Sequence, residues 1–303
     1  MAEGKREHVE IFEVGPRDGL QNESRMIPTV EKIALVDCLS RAGFRHVECA
    51  SFVSPKWVPQ MADSGAVLAG IARVPGVSYA ALVPNMKGYE AAIAAGADEV
   101  AVFASASEGF SRRNINCSIA ESLTRFAPIL AAARHADVPV RGYVSCVTDC
   151  PFDGPVVPGA VARVAGALFA AGCYAVSLGD TIGRATPDST ARMLLAVRNE
   201  VPAHRLAGHF HDTEGRALAN IDAALALGVR VFDAAVGGLG GCPHAPGAAG
   251  NVATEAVQAH LERLGFETGL DATVIREAAA LAQTMRGGER QAAENRREIP
   301  DER

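Results

Sequence analysis

The sequence predicts a closed (β/α)8 barrel, the TIM-barrel architecture, in a single α/β domain spanning 1–303. Three observations carry this. Short β-branched runs alternate with alanine-rich stretches of helical pattern, the signature of right-handed βαβ units around a parallel sheet. Eight such runs recur at intervals of roughly 30 residues, the count that closes a barrel. The chain of 303 residues also suits a fold that takes about 250, with room for extra C-terminal helices.

In chain order the runs are VEIFEVG from Val9, HVECASF from His46, SYAALV from Ser78 and EVAVFAS from Glu99. VPVRGYVSC from Val138, AVSLGD from Ala175, RLAGHFHD from Arg205 and VFDAAVGG from Val231 complete the set. Between them 29–42, 119–135 and 216–227 read as helices, with Thr29 and Asp188 beside prolines as helix starts. After the eighth unit, 262–283 reads as a helix packed on the barrel. The barrel is thus expected over about 8–265 and a C-terminal helical region over about 266–287. The stretch 288–303 mixes charges of both signs with almost no apolar residues and is expected to be a disordered tail. An open doubly wound sheet would want a G-x-G-x-x-G turn after its first strand, and Gly15-Pro16-Arg17-Asp18-Gly19 is not one.

Composition narrows the function. Hydrophobic residues make up 49% and charged residues 21%, as in globular chains, which excludes a disordered or fibrous protein. Aromatics are only 5%, so small aliphatic side chains must build the core. A net charge of −6 argues against nucleic acid as a partner, because phosphate binding wants a positive surface. No apolar run approaches the 18 or so residues of a membrane helix, and the first residues show neither a signal core nor a presequence. Seven dispersed cysteines do not make a disulfide framework and fit a reducing cytosol. A cytoplasmic protein without a membrane partner is expected.

In such a barrel the chemistry gathers at the C-terminal ends of the strands. Strand 1 ends in Arg17, Asp18 and Gln21, strand 2 carries Glu48 and Ser51, and strand 6 ends in Asp180 and Thr181. Strand 7 ends in His209, His211 and Asp212, and a loop from Gly237 through Cys242 and His244 leads to Asn251. His209 and His211 are two apart, so on a strand both face the same way. With the Asp18 carboxylate and the Asn251 amide oxygen they would form a mixed nitrogen and oxygen site for Mg²⁺, Mn²⁺, Co²⁺ or Zn²⁺. The competing reading of a lone H-x-H, two hydrogen-bonded core histidines, is weakened by Asp18 on the same rim.

Cys242 stands among glycines that let a ligand approach, so its thiol could serve as an acid or nucleophile. Cys38, Cys49, Cys117 and Cys173 lie in apolar patterns and read as core, while Cys146 and Cys150 read as unpaired thiols. Arg17 could hold an oxyanion through two hydrogen bonds. A Ser111-Arg112-Arg113-Asn114 turn would add cations to the rim.

Six stretches carry a resemblance to the 3-hydroxy-3-methylglutaryl-CoA (HMG-CoA) lyase family. They are EVGPRDGLQNE from Glu13, ECASFVSPKWVPQM from Glu48, RNINCSI from Arg113, LGDTIGRATP from Leu178, HFHDTEGRALANI from His209 and GGLGGCPHAPGAAGNVATE from Gly237. They occur in order over about 8–287, and the last resembles that family's cysteine loop. The resemblance implies a divalent metal, Mg²⁺ or Mn²⁺ first among those above, on Asp18, His209, His211 and Asn251. It implies that Arg17 stabilises an enolate oxygen, that Cys242 is the loop acid/base, and that Glu48 and Asp180 support catalysis. Glu13 and Glu255 would act behind the ligands, Gln21 beside Arg17 on substrate, and Arg113 and Asn114 on coenzyme A. A homodimer acting on an acyl-CoA is implied. His244, Ala249 and Thr148-Asp149 depart from the family's usual residues, in loops near the acyl pocket, which leaves a longer 3-substituted glutaryl-CoA open as substrate. A non-catalytic metal- or acyl-CoA-binding barrel is the reading from another class; retention of Arg17, Asp18, Cys242 and both histidines weighs against it.

Overall fold

The structure, a computed structural model, describes residues 6–242 and 245–286, with the backbone alone between 241 and 249. Eight parallel strands form the barrel: β1 (Glu10–Glu13), β2 (His46–Ser51), β3 (Ser78–Leu82), β4 (Glu99–Ser105), β5 (Val140–Ser145), β6 (Ala175–Asp180), β7 (Leu206–Phe210) and β8 (Val231–Ala234). Each pairs with its successor, and β8 closes on β1 through Glu10 opposite Val231 and Glu13 opposite Ala234. The eight expected runs are these eight strands.

Helices follow the strands: α1 (Thr29–Ser40), α2 (Ser64–Gly70), α3 (Met86–Ala94), α4 (Glu108–Ile115), α5 (Ile119–His135), α6 (Pro158–Ala171), α7 (Pro187–Val197), α8 (Ala217–Ala226), α9 (Thr254–Arg263) and α10 (Ala272–Met285). Local chemistry sets their ends. Ser118 and Glu121 form a reciprocal capping box on α5. Thr186 and Ser189 do the same on α7, so that helix begins at Pro187 with Thr186 as its cap, one residue before the expected Asp188.

Two expectations need correction. The helix expected over 262–283 is two helices. Gly265 and Gly269 take left-handed φ of 91° and 72°, and the Asp271 side chain starts α10 by accepting from the backbone N–H groups of Thr273 and Val274. The intervening segment pairs with the N-terminus, Val9 N–H donating to Glu267 O at 2.9 Å. The turn expected at 111–114 lies inside α4, because Ser107 caps that helix and Asp153 accepts from Gly109 N–H at 2.7 Å. The tail expected over 288–303 lies outside the described residues.

Most apolar side chains form one cluster between strands and helices, among them Val47, Leu39, Leu168, Phe126, Ile221 and Phe232. Inside the barrel the apolar residues are few, Phe12 with Val14 and Ala80, and Leu82 with Ala101 and Tyr143. The rest of the interior is polar. Alternation along β5 turns Arg141 and Tyr143 inward together, and both are buried.

Candidate active site

The chain leaves β1 in a single π-turn, Gly15–Gly19, in which the N–H groups of Asp18 and Gly19 both return to Val14 O. Buried Glu13 pins this turn to the loop after β8: one carboxylate oxygen accepts from Gly15 N–H (2.8 Å) and Val236 N–H (2.9 Å), the other from Thr254 Oγ1 (2.6 Å). Burial, outweighing the Thr254 and backbone hydrogen bonds, pushes the Glu13 carboxyl up to about 7. Gly237 and Gly238 take successive left-handed φ of 64° and 61°, a path closed to most side chains. Glu255 accepts from Gly237 N–H at 3.1 Å. Gln283 and Arg286 of the α10 end donate to the Gly237 and Gly238 carbonyls.

Arg17 and Asp18 are thereby aimed across the mouth of the barrel. The Arg17 guanidinium donates through Nε (2.8 Å) and Nη2 (2.5 Å) to Glu48 Oε2, and through Nη1 to Asp18 Oδ1 at 2.6 Å. Those contacts leave two of its five N–H donors for a substrate. A bulge in β2 between Glu48 and Ala50 sets the Glu48 side chain. Burial alone would depress the Arg17 guanidinium, but Glu48 and Asp18 outweigh it and hold the charge. Burial raises the Glu48 carboxyl, only partly countered by Arg17.

Opposite them stand the histidines. His209 Nε2 lies 3.9 Å from Asp18 Oδ2, too far for a hydrogen bond. The two imidazole rings are 5.4 Å apart, facing the same way as the spacing predicts. One ligand atom each from Asp18, His209 and His211 lies within 4.8 Å of the others. Burial opposes ionisation of Asp18, yet Arg17 and then His209 bring it to about 2. Burial and then His209 push His211 down to about 4, so it is a neutral imidazole at pH 7, the form that binds a metal. Its buried Nδ1 has no hydrogen-bond partner among the described residues. An orphaned nitrogen beside an ionised carboxylate and a second imidazole fits a divalent cation.

Asn251 is buried in the same place, on a bridge with His211. It turns its amide nitrogen, rather than the expected oxygen, toward the cluster, donating to Asp18 Oδ2 at 2.8 Å and Leu239 O at 3.3 Å. The donor complements the carboxylate, and a half-turn of the amide would present the oxygen instead. Gln21 reaches Asp18 Oδ1 at 3.3 Å.

Other expected residues make contacts of their own. The Asp180 carboxylate accepts from Arg184 N–H, Ala185 N–H and Thr148 Oγ1, holding its own loop; burial, despite these bonds, raises it to about 6. Arg113 and Asn114 are exposed on α4, Arg113 lying 4.3 Å over the Phe152 ring. The backbone of Cys242 pairs with Ala245; its side chain, like His244, lies outside the described residues. The six other cysteines are free and buried.

Residues in the middle of the strands, rather than at their ends, complete the site. Arg141 donates to Tyr143 Oη at 3.0 Å and to Asp233 Oδ1 at 2.6 Å, and Tyr143 donates to Glu48 Oε2 at 3.2 Å. Asp233 Oδ2 accepts from Ser177 Oγ at 2.7 Å and lies 3.2 Å from His209 Nδ1. Their signal was charge in mid-strand, at alternate positions of otherwise apolar runs.

Against known proteins, the family model described as HMGL-like matches residues 8–282. This chain belongs to the HMGL-like family. An HMGL-like relative from Pseudomonas aeruginosa, named 3-hydroxy-3-isohexenylglutaryl-CoA/hydroxy-methylglutaryl-CoA lyase, is 60% identical over 270 residues, covering 89% of this chain and 90% of that one. The HMG-CoA lyase structure from Brucella melitensis superposes with a TM-score of 0.92 at 62% identity, covering 93% of this chain and all (100%) of that one. An HMG-CoA lyase from Acinetobacter baumannii, solved with coenzyme A and 3-methylmalate, gives a TM-score of 0.86 at 34% identity, covering 98% of each chain.

Proposed function

We propose that the chain is an HMG-CoA lyase, a carbon–carbon lyase that cleaves HMG-CoA to acetoacetate and acetyl-CoA. The observation that carries this is the convergence of Asp18, His209 and His211 beside a buried, doubly paired Arg17. It occurs in a chain 60% identical to a lyase of that name. Asp18, His209, His211 and, after a half-turn of its amide, Asn251 would hold Mg²⁺ or Mn²⁺. Such an ion makes a bound tertiary hydroxyl more acidic and fixes its orientation.

The chain's own groups do the rest. Asp18, or His209 where its Nε2 is free of the ion, takes the hydroxyl proton, the C3 oxygen becomes a ketone, and the C2–C3 bond breaks with its electron pair passing to C2. The resulting thioester enolate oxygen lies against the free Arg17 donors, which Glu48 and Asp18 hold in place. Cys242 delivers a proton to C2 and completes acetyl-CoA. Asp180 fixes the loop after β6, Glu13 and Glu255 fix the turns that carry Arg17 and Cys242, and Arg113 with Asn114 would meet the coenzyme. Six free buried thiols fit a cytoplasmic setting, and the family resemblance points to a homodimer.

The test is a coupled assay for acetoacetate and acetyl-CoA after EDTA treatment, with Mg²⁺ or Mn²⁺ restored. Metal-restored cleavage that Cys242→Ala abolishes supports the reading; a metal-loaded protein that leaves HMG-CoA intact sinks it. The double name of the P. aeruginosa relative favours running 3-hydroxy-3-isohexenylglutaryl-CoA beside it as the second substrate.

A further inference from the structure

We infer that Asp233 is a positioning residue whose carboxylate takes the Nδ1–H of His209 and so keeps the Nε2 lone pair of that imidazole turned to the site. The inference rests on His209 serving the proposed metal centre. Asp233 sits at the third position of β8, only 2% exposed, and every described polar contact it makes can be read as a donor serving it. Arg141 Nη2 reaches Oδ1 at 2.6 Å and Ser177 Oγ reaches Oδ2 at 2.7 Å. His209 Nδ1 lies 3.2 Å from the same Oδ2. An ionised carboxylate only accepts, so Nδ1 must carry a proton, and in the neutral imidazole Nε2 is then the bare nitrogen.

Its neighbours keep Asp233 ionised. The Arg141 guanidinium lies 2.6 Å from Oδ1 with both side chains buried, and an opposite charge held that close favours the ionised carboxylate. Arg141 is itself 1% exposed and lies 3.9 Å over the Phe12 ring, so it cannot swing to another partner. Arg141 also donates to Tyr143, Tyr143 to Glu48, and Glu48 holds Arg17. One buried chain of contacts therefore orients both the imidazole and the guanidinium. A bare Nε2 is what either task proposed for His209 requires, since a metal ligand and a general base both need the lone pair.

Asn at 233 reverses the arrangement. Arg141 still needs an acceptor and claims Oδ1, which leaves the amide N–H₂ facing His209 Nδ1. The imidazole must then accept at Nδ1 and carry its proton on Nε2.

The test uses the full chain labelled with ¹⁵N-histidine and freed of metal with EDTA, the His209 signals being assigned by their loss in His209→Gln. Imidazole ¹⁵N shifts should show the Nδ1–H tautomer in the unsubstituted chain and the Nε2–H tautomer in Asp233→Asn. Mn²⁺ affinity, read from the free-ion electron paramagnetic resonance signal, should fall about 10–100-fold in Asp233→Asn. An Nε2–H tautomer in the unsubstituted chain overturns the inference without any variant at Asp233 having to fold. Equal Mn²⁺ affinity in the two proteins overturns it while leaving the metal reading intact. Mn²⁺ that binds without broadening the His209 signals overturns the metal reading and this inference with it.

Discussion

The two ends of the barrel interior both bury charge, and they differ in whether that charge is answered. At the N-terminal end His46 Nδ1 meets Glu10 Oε1 at 2.6 Å, its Nε2 lies 3.8 Å from Glu99, Tyr174 donates to Glu99 at 3.1 Å, and the His46 ring stacks on Phe12. One oxygen of Glu99 lacks a partner, but burial pushes that carboxyl to about 6, toward its neutral form. At the C-terminal end the groups converge without closing on one another: His209 and Asp18 stand 3.9 Å apart and the buried Nδ1 of His211 has no partner among the described residues. A buried polar group left unanswered costs stability. Orphaned atoms occur at both ends, but among the described residues only the C-terminal end sets one beside a second imidazole and an ionised carboxylate, and that convergence marks it as the end that awaits a ligand. Buried charge by itself would have pointed to both.

The largest expected effect separates the ends by activity. Arg17→Met removes the only described guanidinium on the Asp18 carboxylate and the proposed enolate partner. Turnover of HMG-CoA should fall by about 10³-fold, the scale of losing a preorganised oxyanion donor, while the circular dichroism spectrum stays that of a folded barrel. A loss below tenfold would mean that the guanidinium orders the mouth without touching the reaction. Next comes Asp18→Asn, which should weaken Mn²⁺ binding by at least the tenfold that even an outer partner is worth, read by calorimetric titration. Unchanged affinity would place the ion elsewhere and dissolve the contrast between the two ends.

How far the sequence revealed each end follows from the same contrast. The strands were legible because β-branched runs of period two recur between alanine-rich helical stretches, and the rim residues were legible because strand ends are where barrel enzymes keep polar groups. Arg17, Asp18, Glu48, His209, His211 and Asn251 were all found that way. Arg141, Tyr143, Ser177 and Asp233 were not, because a charge in mid-strand has meaning only once the neighbours across the barrel are known: Arg141 on β5 meets Asp233 on β8, 92 positions away. The break between α9 and α10 was legible but outweighed by the apolar and charged mix on either side of it. Gly265 and Gly269 are helix-end signals in the sequence, and both take left-handed φ where the chain turns under the barrel.

The middle of the interior joins the two ends, and Arg141 tests that joint. Arg141→Met leaves the Asp233 carboxylate buried at 2% exposure without its cation, which costs on the order of 3–5 kcal/mol. Denaturant unfolding should show that loss. The double variant Arg141→Met/Asp233→Asn should recover part of it, since the uncompensated charge is then gone. No recovery would assign the loss to packing over Phe12 and Tyr143 instead of charge.

The smallest effect belongs to the N-terminal end, where pH alone should move stability and leave chemistry untouched. Burial disfavours a charged His46, but its hydrogen bond to Glu10 and the charge of Glu99 outweigh both burial and the repulsion of Arg141, so its pKa is raised. A raised histidine stabilises the fold through its protonated form. That contribution is complete below the unfolded value of 6.5 and fades as pH climbs through the folded one. The melting temperature of the chain should therefore exceed that of His46→Gln most below pH 6.5, and the gap should narrow as pH rises above it, with kcat/KM for HMG-CoA alike in the two proteins throughout. A gap that stays constant over that range would show that His46 is held by its stack on Phe12, 5.1 Å between ring centres, and that the two ends differ in geometry more than in charge.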